Sequence, residues 1–453
     1  MNAEILTIGD ELLRGEIIDS NKARLAQRLL LLDLDCRHQV SVLDDRADMR
    51  DAFLNAAARS DIVLVSGGLG PTRDDLTTEV LAETFGRKLE LEPSSLAAIE
   101  AFFARVGREM AEVNRKQAYF PSGADVLANP IGTAPGFALR VERPMMGDAA
   151  MREVFFFVLP GVPRELEKMM DEQVMPRLER LLDARDATSG GERRIVRAAL
   201  LRTFGMGEST LEAELRDLAR GGEVELGFRT AFPDNFLRPV ARATSVAEAD
   251  RRIAQTVRAI REKLGPIVFA EGDDSMEAVV GRLLVEAGRT IATAESCTGG
   301  LIAERLTDVP GSSRYFVGGV VSYSNEAKRA LLGVPGELID REGAVSESVV
   351  RAMAEGARAR FGSDFALATS GISGPDGGTP SKPVGLVWIA MAEGAGTHAD
   401  SFVFAVDRTR HRGLTSQVAL DWVRRRLIGA PLVGPSLMRR AGGTSVPGGT
   451  GAG

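Results

Sequence analysis

The sequence is poor in the residues that most often carry metal and redox chemistry. Of its 453 residues, only two are cysteines, Cys36 and Cys297, and only three are histidines. Two distant cysteines in so long a chain form no disulfide framework, which favours a reducing compartment. The scarcity of histidine argues against a His-rich zinc site and leaves few bases for a Ser-His-Asp triad. Any catalytic divalent metal would therefore be held by carboxylate and carbonyl oxygens.

Long apolar segments are also lacking. No stretch of about 18 uncharged apolar residues occurs, which argues against a membrane span. The first residues contain no basic segment followed by an apolar run, so no signal peptide is expected. The net charge of −7 gives no reason for a bulk attraction to nucleic acid or to an anionic membrane. Together these absences predict a cytoplasmic protein without a membrane partner.

The length of the chain predicts about two or three domains. Short apolar runs alternate with helical patterns over residues 1–170 and 275–428, which is typical of α/β domains with mostly parallel sheets. The intervening residues 171–266 indicate a small α+β module, with a strand over Arg194–Phe204 and a helix over Glu208–Ala219. Residues 429–453 are rich in Gly, Pro, Ser and Thr, which predicts a disordered tail.

The first candidate site runs from Ser66 to Thr77, after a strand predicted over Asp61–Ser66 and before a helix. Glycines at such a turn let the backbone approach a phosphate, and the helix adds its positive N-terminal end. The adjacent Asp74 and Asp75 could supply oxygen ligands to a divalent cation beside those phosphates. A tight turn with an aspartate cap is the alternative, but the turn, Arg73 and the paired aspartates together favour a phosphate site.

Two other segments could contribute to this site. Gly9–Gly15 also follows a predicted strand, Ala3–Ile8, and the carboxyl ends of parallel strands meet at one edge of a sheet. A capped loop explains this segment equally well. Asn129–Gly136 is stiff and rich in turn residues, so it could be a wall of the site or only a loop.

The segment Thr293–Gly300 is the most informative in the chain. Ser296 lies where a predicted strand ends, and two glycines permit an abrupt entry into a helix predicted over Leu301–Leu306. A hydroxyl at such a helix N-terminus would lie near free backbone N–H groups that could stabilise an oxyanion. A helix cap with a glycine hinge is an equally weighted alternative, and the pattern is not a Gly-x-Ser-x-Gly elbow.

A serine nucleophile needs a base. Lys328 follows Tyr323 by about one helical turn, and a lysine that is partly desolvated in a cleft can lose its proton near neutral pH. Tyr323 could relay the proton or orient the serine. A solvated lysine and a half-buried tyrosine are the alternatives. His398 and His411 compete weakly as bases, and Cys297 competes as the nucleophile.

Two later segments suit a phosphate or a ribose. Ser370–Gly378 is another glycine-rich exit from a predicted strand. Asp407–Arg412 concentrates cations after a strand, as a clamp for a phosphate would. Surface charge at the start of a helix explains the second segment as well.

In the first region, these segments resemble the molybdopterin-binding fold of the CinA (competence/damage-inducible) family, with matches at Gly9–Leu12, Gly67–Thr77, Asn129–Phe137 and Leu159–Pro163. The resemblance implies an α/β/α sandwich and hydrolysis of a nucleotide pyrophosphate such as ADP-ribose, assisted by a divalent metal (Mg, Mn or Co). The candidate substrate contacts are Gly67, Gly68, Gly70, Thr72, Asn129, Gly132 and Thr133, and the candidate metal ligands are Asp74, Asp75 and Asp10.

The last region resembles the family's C-terminal domain, which also occurs alone as nicotinamide mononucleotide deamidase, at Ala294–Gly300, Tyr323–Lys328, Gly343–Ser346, Ser370–Gly378 and Asp407–Arg408. The resemblance implies a second α/β/α sandwich that hydrolyses the nicotinamide carboxamide to nicotinic acid mononucleotide and ammonia. Ser296 would be the nucleophile, Lys328 the base and Tyr323 its assistant, and no cofactor is expected. The candidate substrate contacts are Thr298, Gly299, Gly300, Gly371, Ser373, Gly374 and Arg408.

The middle module resembles the KH-type linker of the family. Its Gly205–Glu208 segment lacks the Gly-x-x-Gly clamp with which KH domains bind nucleic acid, so small nucleotides rather than nucleic acid are the expected partners. The resemblance also implies a homodimer. The favoured hypothesis is a bifunctional hydrolase of pyridine-nucleotide salvage. Two alternatives stay open, a competence or DNA-damage accessory protein that binds DNA or a recombinase with vestigial pockets, and a molybdopterin-binding protein.

Overall fold

The computed structural model describes residues 1–144, 151–189, 194–219 and 223–434. The chain divides into two compact units, Met1–Arg197 with Arg242–Ala249, and Ala198–Ala241 with the described residues from Asp250 onward. Most of the tail that the sequence predicts to be disordered, from residue 435 on, lies outside the described residues. Among the described helices, none has the length and apolar character that crossing a bilayer requires.

The first unit is built round a sheet whose central strands are parallel. The strands are β1 (Asn2–Ile8), β2 (Asp35–Val42), β3 (Ile62–Ser66), β4 (Leu89–Leu91), β5 (Tyr119–Pro121), β6 (Asp125–Leu127), β7 (Gly136–Pro144) and β8 (Met151–Leu159). The main sheet has the order β2-β1-β3-β8-β7-β6, and β4 pairs with β5 separately. The first four of these strands pair in parallel, and β7 and β6 complete one edge in antiparallel pairing.

Both faces of this sheet are covered because neighbouring residues of each strand point to opposite apolar clusters. Leu6 and Val63 pack with Phe53 on one face, whereas Ile5 and Leu64 pack on the other. The helices that supply the two outer layers are α1 (Asp10–Leu13), α2 (Ser20–Leu31), α3 (Arg46–Arg59), α4 (Thr77–Thr84), α5 (Pro93–Arg105), α6 (Pro163–Met169) and α7 (Met175–Ser189). The α/β class is confirmed, and this unit has three layers.

The helical segment after β8 extends the first unit beyond residue 170, the boundary expected from the sequence. A π-helical turn, Met170–Val174, joins α6 to α7. Leu178 of α7 is fully buried in the same cluster as Leu25 and Leu64. Residues 171–189 therefore pack on the first sheet, because their apolar side chains continue the stripe that begins at Leu166.

The middle module differs from its predicted outline in two places. The single strand expected over Arg194–Phe204 is two short strands, β9 (Ile195–Ala198) and β10 (Leu201–Thr203). The helix expected over Glu208–Ala219 is interrupted at Leu215, whose backbone leaves the helical conformation while its side chain is fully buried in the module's core. The remaining elements are α8 (Glu208–Glu214), α9 (Arg216–Ala219), β11 (Val224–Ala231), β12 (Asp234–Ala243), α10 (Val246–Leu264) and β13 (Val268–Glu271).

The C-terminal part of the second unit has a sheet in the order β15-β14-β16-β17-β18, formed by β14 (Ile291–Glu295), β15 (Phe316–Val321), β16 (Phe365–Gly371), β17 (Leu386–Glu393) and β18 (Gly396–Val403). β14 is parallel to both of its neighbours, and the other two pairings are antiparallel. The carboxyl ends of β14, β15 and β16 therefore meet at one edge. The helices are α11 (Met276–Ala287), α12 (Leu301–Thr307), α13 (Asn325–Leu332), α14 (Gly336–Glu342), α15 (Glu347–Phe361) and α16 (Arg408–Leu427).

The two faces of this sheet differ in side-chain size. Ala292 and Ala366 lie on the face that packs against α13, α14 and α15, whereas Ile291 and Leu367 lie on the face that packs against α11, α12 and α16. Because the side chains on the first of these faces are small, α13, α14 and α15 can approach the sheet closely. At Gly356 in α15, an added Cβ would overlap the backbone carbonyl of Leu332, the last residue of α13.

We expect Gly356→Ala to destabilise the protein by about 1–3 kcal/mol, because the overlapping atom belongs to the backbone and cannot rotate away. Thermal denaturation measures the effect. Gly413→Ala in α16 is the control, because its new Cβ would make only an ordinary contact with Phe232 and alanine favours a helix. A Gly356→Ala midpoint equal to or above that of Gly413→Ala would contradict the expectation.

Candidate active sites

The turn after β14 places Ser296 beside the side chain of Lys328. The N–H of Ser296 donates to the carbonyl of Thr369 on β16, which holds the turn to the sheet. Lys328 lies on α13, which follows the neighbouring parallel strand β15. Its Nζ lies 3.1 Å from the Oγ of Ser296. The two segments meet because the carboxyl ends of adjacent parallel strands share one edge of the sheet.

The side chain of Lys328 is buried, with only 1% of its surface exposed. Its Nζ donates a 2.7 Å hydrogen bond to the carbonyl of Ser322. Burial lowers the pKa of Lys328, because removal from water disfavours the charged ammonium. A neutral amine has a lone pair that can accept the proton of the Ser296 hydroxyl, which is the property that a general base requires.

The carboxylate of Glu295, a residue that the sequence motifs did not indicate, holds this turn in place. Glu295 is 1% exposed, and its carboxylate accepts hydrogen bonds from the backbone N–H groups of three residues at the start of α12, at 2.9–3.0 Å. These donors belong to Gly300, Ile302 and Ala303. The free N–H groups expected there for an oxyanion are therefore occupied.

The residues that follow Ser296 support the turn from inside. Burial raises the pKa of Cys297 to about 12, so this group is a neutral thiol at physiological pH and a poor nucleophile. Thr298 is fully buried, and its hydroxyl lies 2.7 Å from that of Thr369. Its carbonyl accepts two hydrogen bonds from Arg412. Thr298, an expected substrate contact, is therefore committed to the scaffold.

Three of the glycines expected to contact substrate lie where a side chain would be unfavourable, for two different reasons. Gly299 and Gly300 have φ values of +61° and +96°, which L-residues with side chains rarely adopt. They let the chain turn from Ser296 into α12. Gly371 ends β16, and an added Cβ would crowd the backbone of Leu386. The backbone conformation and the close packing of the chain therefore explain why glycine occupies these positions.

Tyr323 and Arg408 form a pair at the surface. Tyr323 is 59% exposed, and its hydroxyl accepts a 3.0 Å hydrogen bond from Nη2 of Arg408. Nη1 of Arg408 donates to the carbonyl of Gly374 at 2.9 Å. In the part of the chain that the structure describes, Tyr323 makes no hydrogen bond to Ser296 or Lys328. Tyr323 is therefore paired with Arg408, which was expected to bind phosphate, and not with Lys328, the base that it was expected to assist.

Ser373 is turned inward. Its Oγ lies 2.9 Å from Nδ1 of His411, and Nε2 of His411 donates to the carbonyl of Gly385 at 3.1 Å. Both side chains are buried, and burial lowers the pKa of His411, which favours its neutral form. His411 therefore braces the loop between β16 and β17 instead of serving Ser296. Ser373 is likewise committed to that brace.

In the first unit, the Gly67–Thr77 loop begins with two glycines whose φ values are +110° and +66°. An added Cβ would overlap the carbonyl oxygen of Ile8 at Gly67 and the hydroxyl of Thr77 at Gly68. The N–H of Gly67 donates to the carbonyl of Leu159, so it is not available to a phosphate. Gly68 and Gly70 line a cavity of about 280 Å³.

Cationic residues that the motifs did not indicate form another wall of this cavity. They lie on a 3-10 helix, Glu112–Ala118. Lys116 donates to the carbonyl of Asp75 at 2.9 Å, and Arg115 also lines the cavity. Gln117 donates to the carbonyl of Leu69 at 3.1 Å and fixes the loop. Two cations beside a glycine loop are groups that can bind phosphate, and Asp75 and Glu79 line the same cavity.

The expected metal ligands do not converge on one point. The hydroxyl of Thr72 lies within hydrogen-bond distance of both Asp74 and Asp75, and it lowers the pKa of Asp74. Asp10 pairs with Arg14 and accepts the N–H of Asp44. Within residues 1–144, 151–189, 194–219 and 223–434, no three or more acidic, histidine or cysteine side chains are grouped to hold an ion. These residues do not fit a formed metal site.

The Gly9–Gly15 segment does lie near the glycine loop. Burial raises the pKa of Asp44, and the negative charges of Asp10, Glu11 and Asp74 raise it further. The interaction energy of two charges falls with distance, so these acidic side chains lie close to Asp44. Both segments therefore contribute to one acidic edge at the carboxyl ends of β1, β2 and β3.

Asn129 organises its own loop. Its Nδ2 donates to the carbonyl of Ala134 at 3.0 Å and to the carboxylate of Glu165 at 2.7 Å, and its Oδ1 accepts the N–H of Gly132 at 2.9 Å. The amide is therefore used within the protein. Gly132 and Thr133 line a second cavity, of about 530 Å³, that adjoins the first.

Three family models match the chain in succession. Residues 4–180 match a probable molybdopterin binding domain, residues 199–270 match the damage-inducible protein CinA KH domain, and residues 273–427 match the CinA C-terminal domain. The three matches correspond to the first unit's sandwich, the middle module and the C-terminal sheet with its helices.

Full-length relatives match across the same span. The chain is 47% identical to a putative competence-damage inducible protein of Symbiobacterium thermophilum, over 95% of this chain and 99% of that protein. It is 45% identical to a CinA-like protein of Geobacter sulfurreducens, over 95% of this chain and 100% of that protein. A crystal structure of competence damage-inducible protein A from Klebsiella pneumoniae is 37% identical and covers 34% of this chain and 95% of its own, with a TM-score of 0.33. The chain therefore belongs to the CinA family.

Proposed function

We propose that the second unit hydrolyses the carboxamide of nicotinamide mononucleotide through Ser296 and Lys328. One observation carries this proposal, the buried amine of Lys328 only 3.1 Å from the hydroxyl of Ser296. A serine paired with a neutral lysine is an arrangement suited to acyl transfer. The choice of substrate rests on the family resemblance, and the guanidinium of Arg408 at the nearby surface is a group that could bind its phosphate.

In the first half of the reaction, Lys328 accepts the proton of Ser296 as Oγ attacks the carboxamide carbon. The carbonyl electrons move to oxygen and form a tetrahedral intermediate. When this intermediate collapses, the C–N bond breaks and the ammonium of Lys328 returns its proton to the leaving nitrogen, which departs as ammonia. The product is an ester between Ser296 and the nicotinoyl group.

In the second half, a water molecule replaces ammonia beside Lys328. The amine takes a proton from water while the hydroxide attacks the ester, and the C–Oγ bond then breaks. The proton returns to Oγ, and the acid leaves as a carboxylate after losing its own proton to solvent. The buried position of Lys328 assists both halves, because burial lowers its pKa and so favours the neutral amine that each attack requires.

For the first unit, we propose that the cavity beside Gly68 and Gly70 binds the phosphates of a nucleoside pyrophosphate, with ADP-ribose as the candidate substrate. Arg115 and Lys116 supply positive charge next to the glycine loop. The proposal includes no metal ion, because the described acidic residues near this cavity do not form a metal site, and the metal dependence is implied by the family resemblance alone. It stays an untested prediction, as do the homodimer and the cytoplasmic location.

We expect Ser296→Ala to lower ammonia release from nicotinamide mononucleotide by at least about a thousandfold, because the attacking oxygen is lost. Cys297→Ala is the matched control one residue away, and it should keep its activity, since the pKa of about 12 makes Cys297 a poor nucleophile. Full activity of Ser296→Ala, or loss of activity only in Cys297→Ala, would overturn the assignment.

The kcat/KM for nicotinamide mononucleotide should rise with pH and level off above the pKa of Lys328. Burial lowers this pKa, so the neutral fraction of the amine is larger than in an exposed lysine and grows further as pH increases. Rates measured from about pH 6 to 9 test this. Lys328→Arg should be inactive throughout, because a guanidinium stays protonated. A profile that falls over this range would contradict the role of Lys328.

Gly70→Ala should lower hydrolysis of ADP-ribose by the first unit, because the added Cβ would overlap the carboxylate of Asp75 and push it away from the N–H of Thr72, which it accepts in the loop. Release of AMP measures this activity. Ammonia release from nicotinamide mononucleotide is the internal control and should not change. A chelator added to the wild-type protein decides separately whether AMP release needs a divalent ion. Unchanged AMP release by Gly70→Ala would count against a site at this loop.

A further inference from the structure

A second cavity in the first unit adjoins the cavity at the glycine loop, and three expected substrate contacts, Asn129, Gly132 and Thr133, line it. It measures about 530 Å³, within the range of pockets that hold small ligands. One wall is α5, and the other is the segment from Val126 to Pro135. Pro135 lines this cavity and also the 280 Å³ cavity beside the glycine loop, so the two cavities adjoin.

The walls of this cavity are mainly apolar. Ile99, Val126 and Pro130 line it together with Phe102 of α5. The guanidinium of Arg105, another lining residue, lies over the Phe102 ring at 5.1 Å from its centre. An aromatic ring and a guanidinium plane are the two kinds of surface on which proteins stack nucleobases.

The loop that forms the second wall is held in one conformation. The side chain of Asn129 bonds to Ala134, Glu165 and the N–H of Gly132, so both ends of its amide are used. An added Cβ at Gly132 would overlap the carboxylate of Glu165, which shows how closely the loop packs on α6. A preformed wall lowers the entropy cost of binding a flat ring.

We propose that the larger cavity binds the base of the nucleotide whose phosphates occupy the smaller one. The inference rests on the phosphate site proposed for the first unit. A single nucleotide would cross Pro135, with its phosphates toward Gly68 and Arg115 and its base against Phe102. The ligand class is a purine or pyrimidine nucleotide, and a sugar phosphate without a base would use only the smaller cavity.

Calorimetry with two probes on the full chain tests this arrangement. AMP and ribose 5-phosphate share the phosphate and the sugar but differ in the base. The wild-type protein should bind AMP at least about tenfold more tightly, because stacking of one base on an aromatic side chain has about this effect. Phe102→Ala should weaken AMP binding by about tenfold and leave ribose 5-phosphate binding unchanged.

Phe103→Ala is the matched control. Phe103 is the next residue of α5 and does not line the cavity, although its ring centre lies 6.1 Å from that of Phe102. This variant should keep the preference for AMP, and so should Phe102→Trp, which retains a stacking surface and guards against a folding defect in Phe102→Ala.

Three results would overturn the proposal of a base site. Equal binding of AMP and ribose 5-phosphate by the wild-type protein is the first, and equal weakening of both probes in Phe102→Ala is the second. The third is loss of the AMP preference in Phe103→Ala but not in Phe102→Ala. Failure of the wild-type protein to bind either probe would overturn the phosphate site as well, which separates the two proposals.

Discussion

The chemistry proposed for the second unit depends on keeping one amine out of water. Lys328 is buried beside Ser296, and its hydrogen-bond partner is the carbonyl of Ser322 and not a carboxylate. A carbonyl satisfies an N–H without stabilising a positive charge as strongly as a carboxylate would. The protein thereby favours a neutral lysine at the one position where a base can reach the serine hydroxyl.

A buried acid next to the serine is bound by other groups of the protein. Glu295 precedes Ser296 in the chain, and its carboxylate is bound by three N–H groups at the start of α12. The positive end of the helix dipole stabilises this charge, so Glu295 needs no ammonium as a counter-ion. The same contacts fix the direction in which the chain leaves β14. The carboxylate of Glu295 thus fixes the turn that carries Ser296, and the three N–H groups satisfy its charge.

The first unit uses its polar side chains differently. The side chains of Thr72 and Asn129 bond within their own loops, and that of Gln117 bonds to the carbonyl of Leu69 in the glycine loop, so these loops are held in shape. The cavities between these loops are lined by glycine backbone, by Arg115 and Lys116, and by the apolar side chains of α5. Residues singled out by motif, among them Gly68, Asp75 and Thr133, therefore line these cavities together with the cationic and aromatic residues that the motifs omit.

Several features follow from the sequence alone. The strands β1 and β3 and the helix α12 were predicted nearly to their observed ends, because apolar runs and glycine turns are local signals. The pairing of Ser296 with Lys328 was also predicted, because a serine nucleophile needs a base and the family resemblance implies Lys328 in that role. The two meet in the structure because each follows a strand of a parallel pair, and such strands share one edge. The family could be recognised from the same motifs.

Tertiary structure alone decided which way the polar side chains turn. Nothing local distinguishes Ser373, which bonds to His411, from Ser296, which faces Lys328. The pairing of Tyr323 with Arg408, 85 residues later, and the capping of α12 by Glu295 likewise depend on contacts made after the sheet has formed. A sequence pattern specifies backbone geometry over a few residues, but the partner of a side chain is set by which distant segments the packed core brings together.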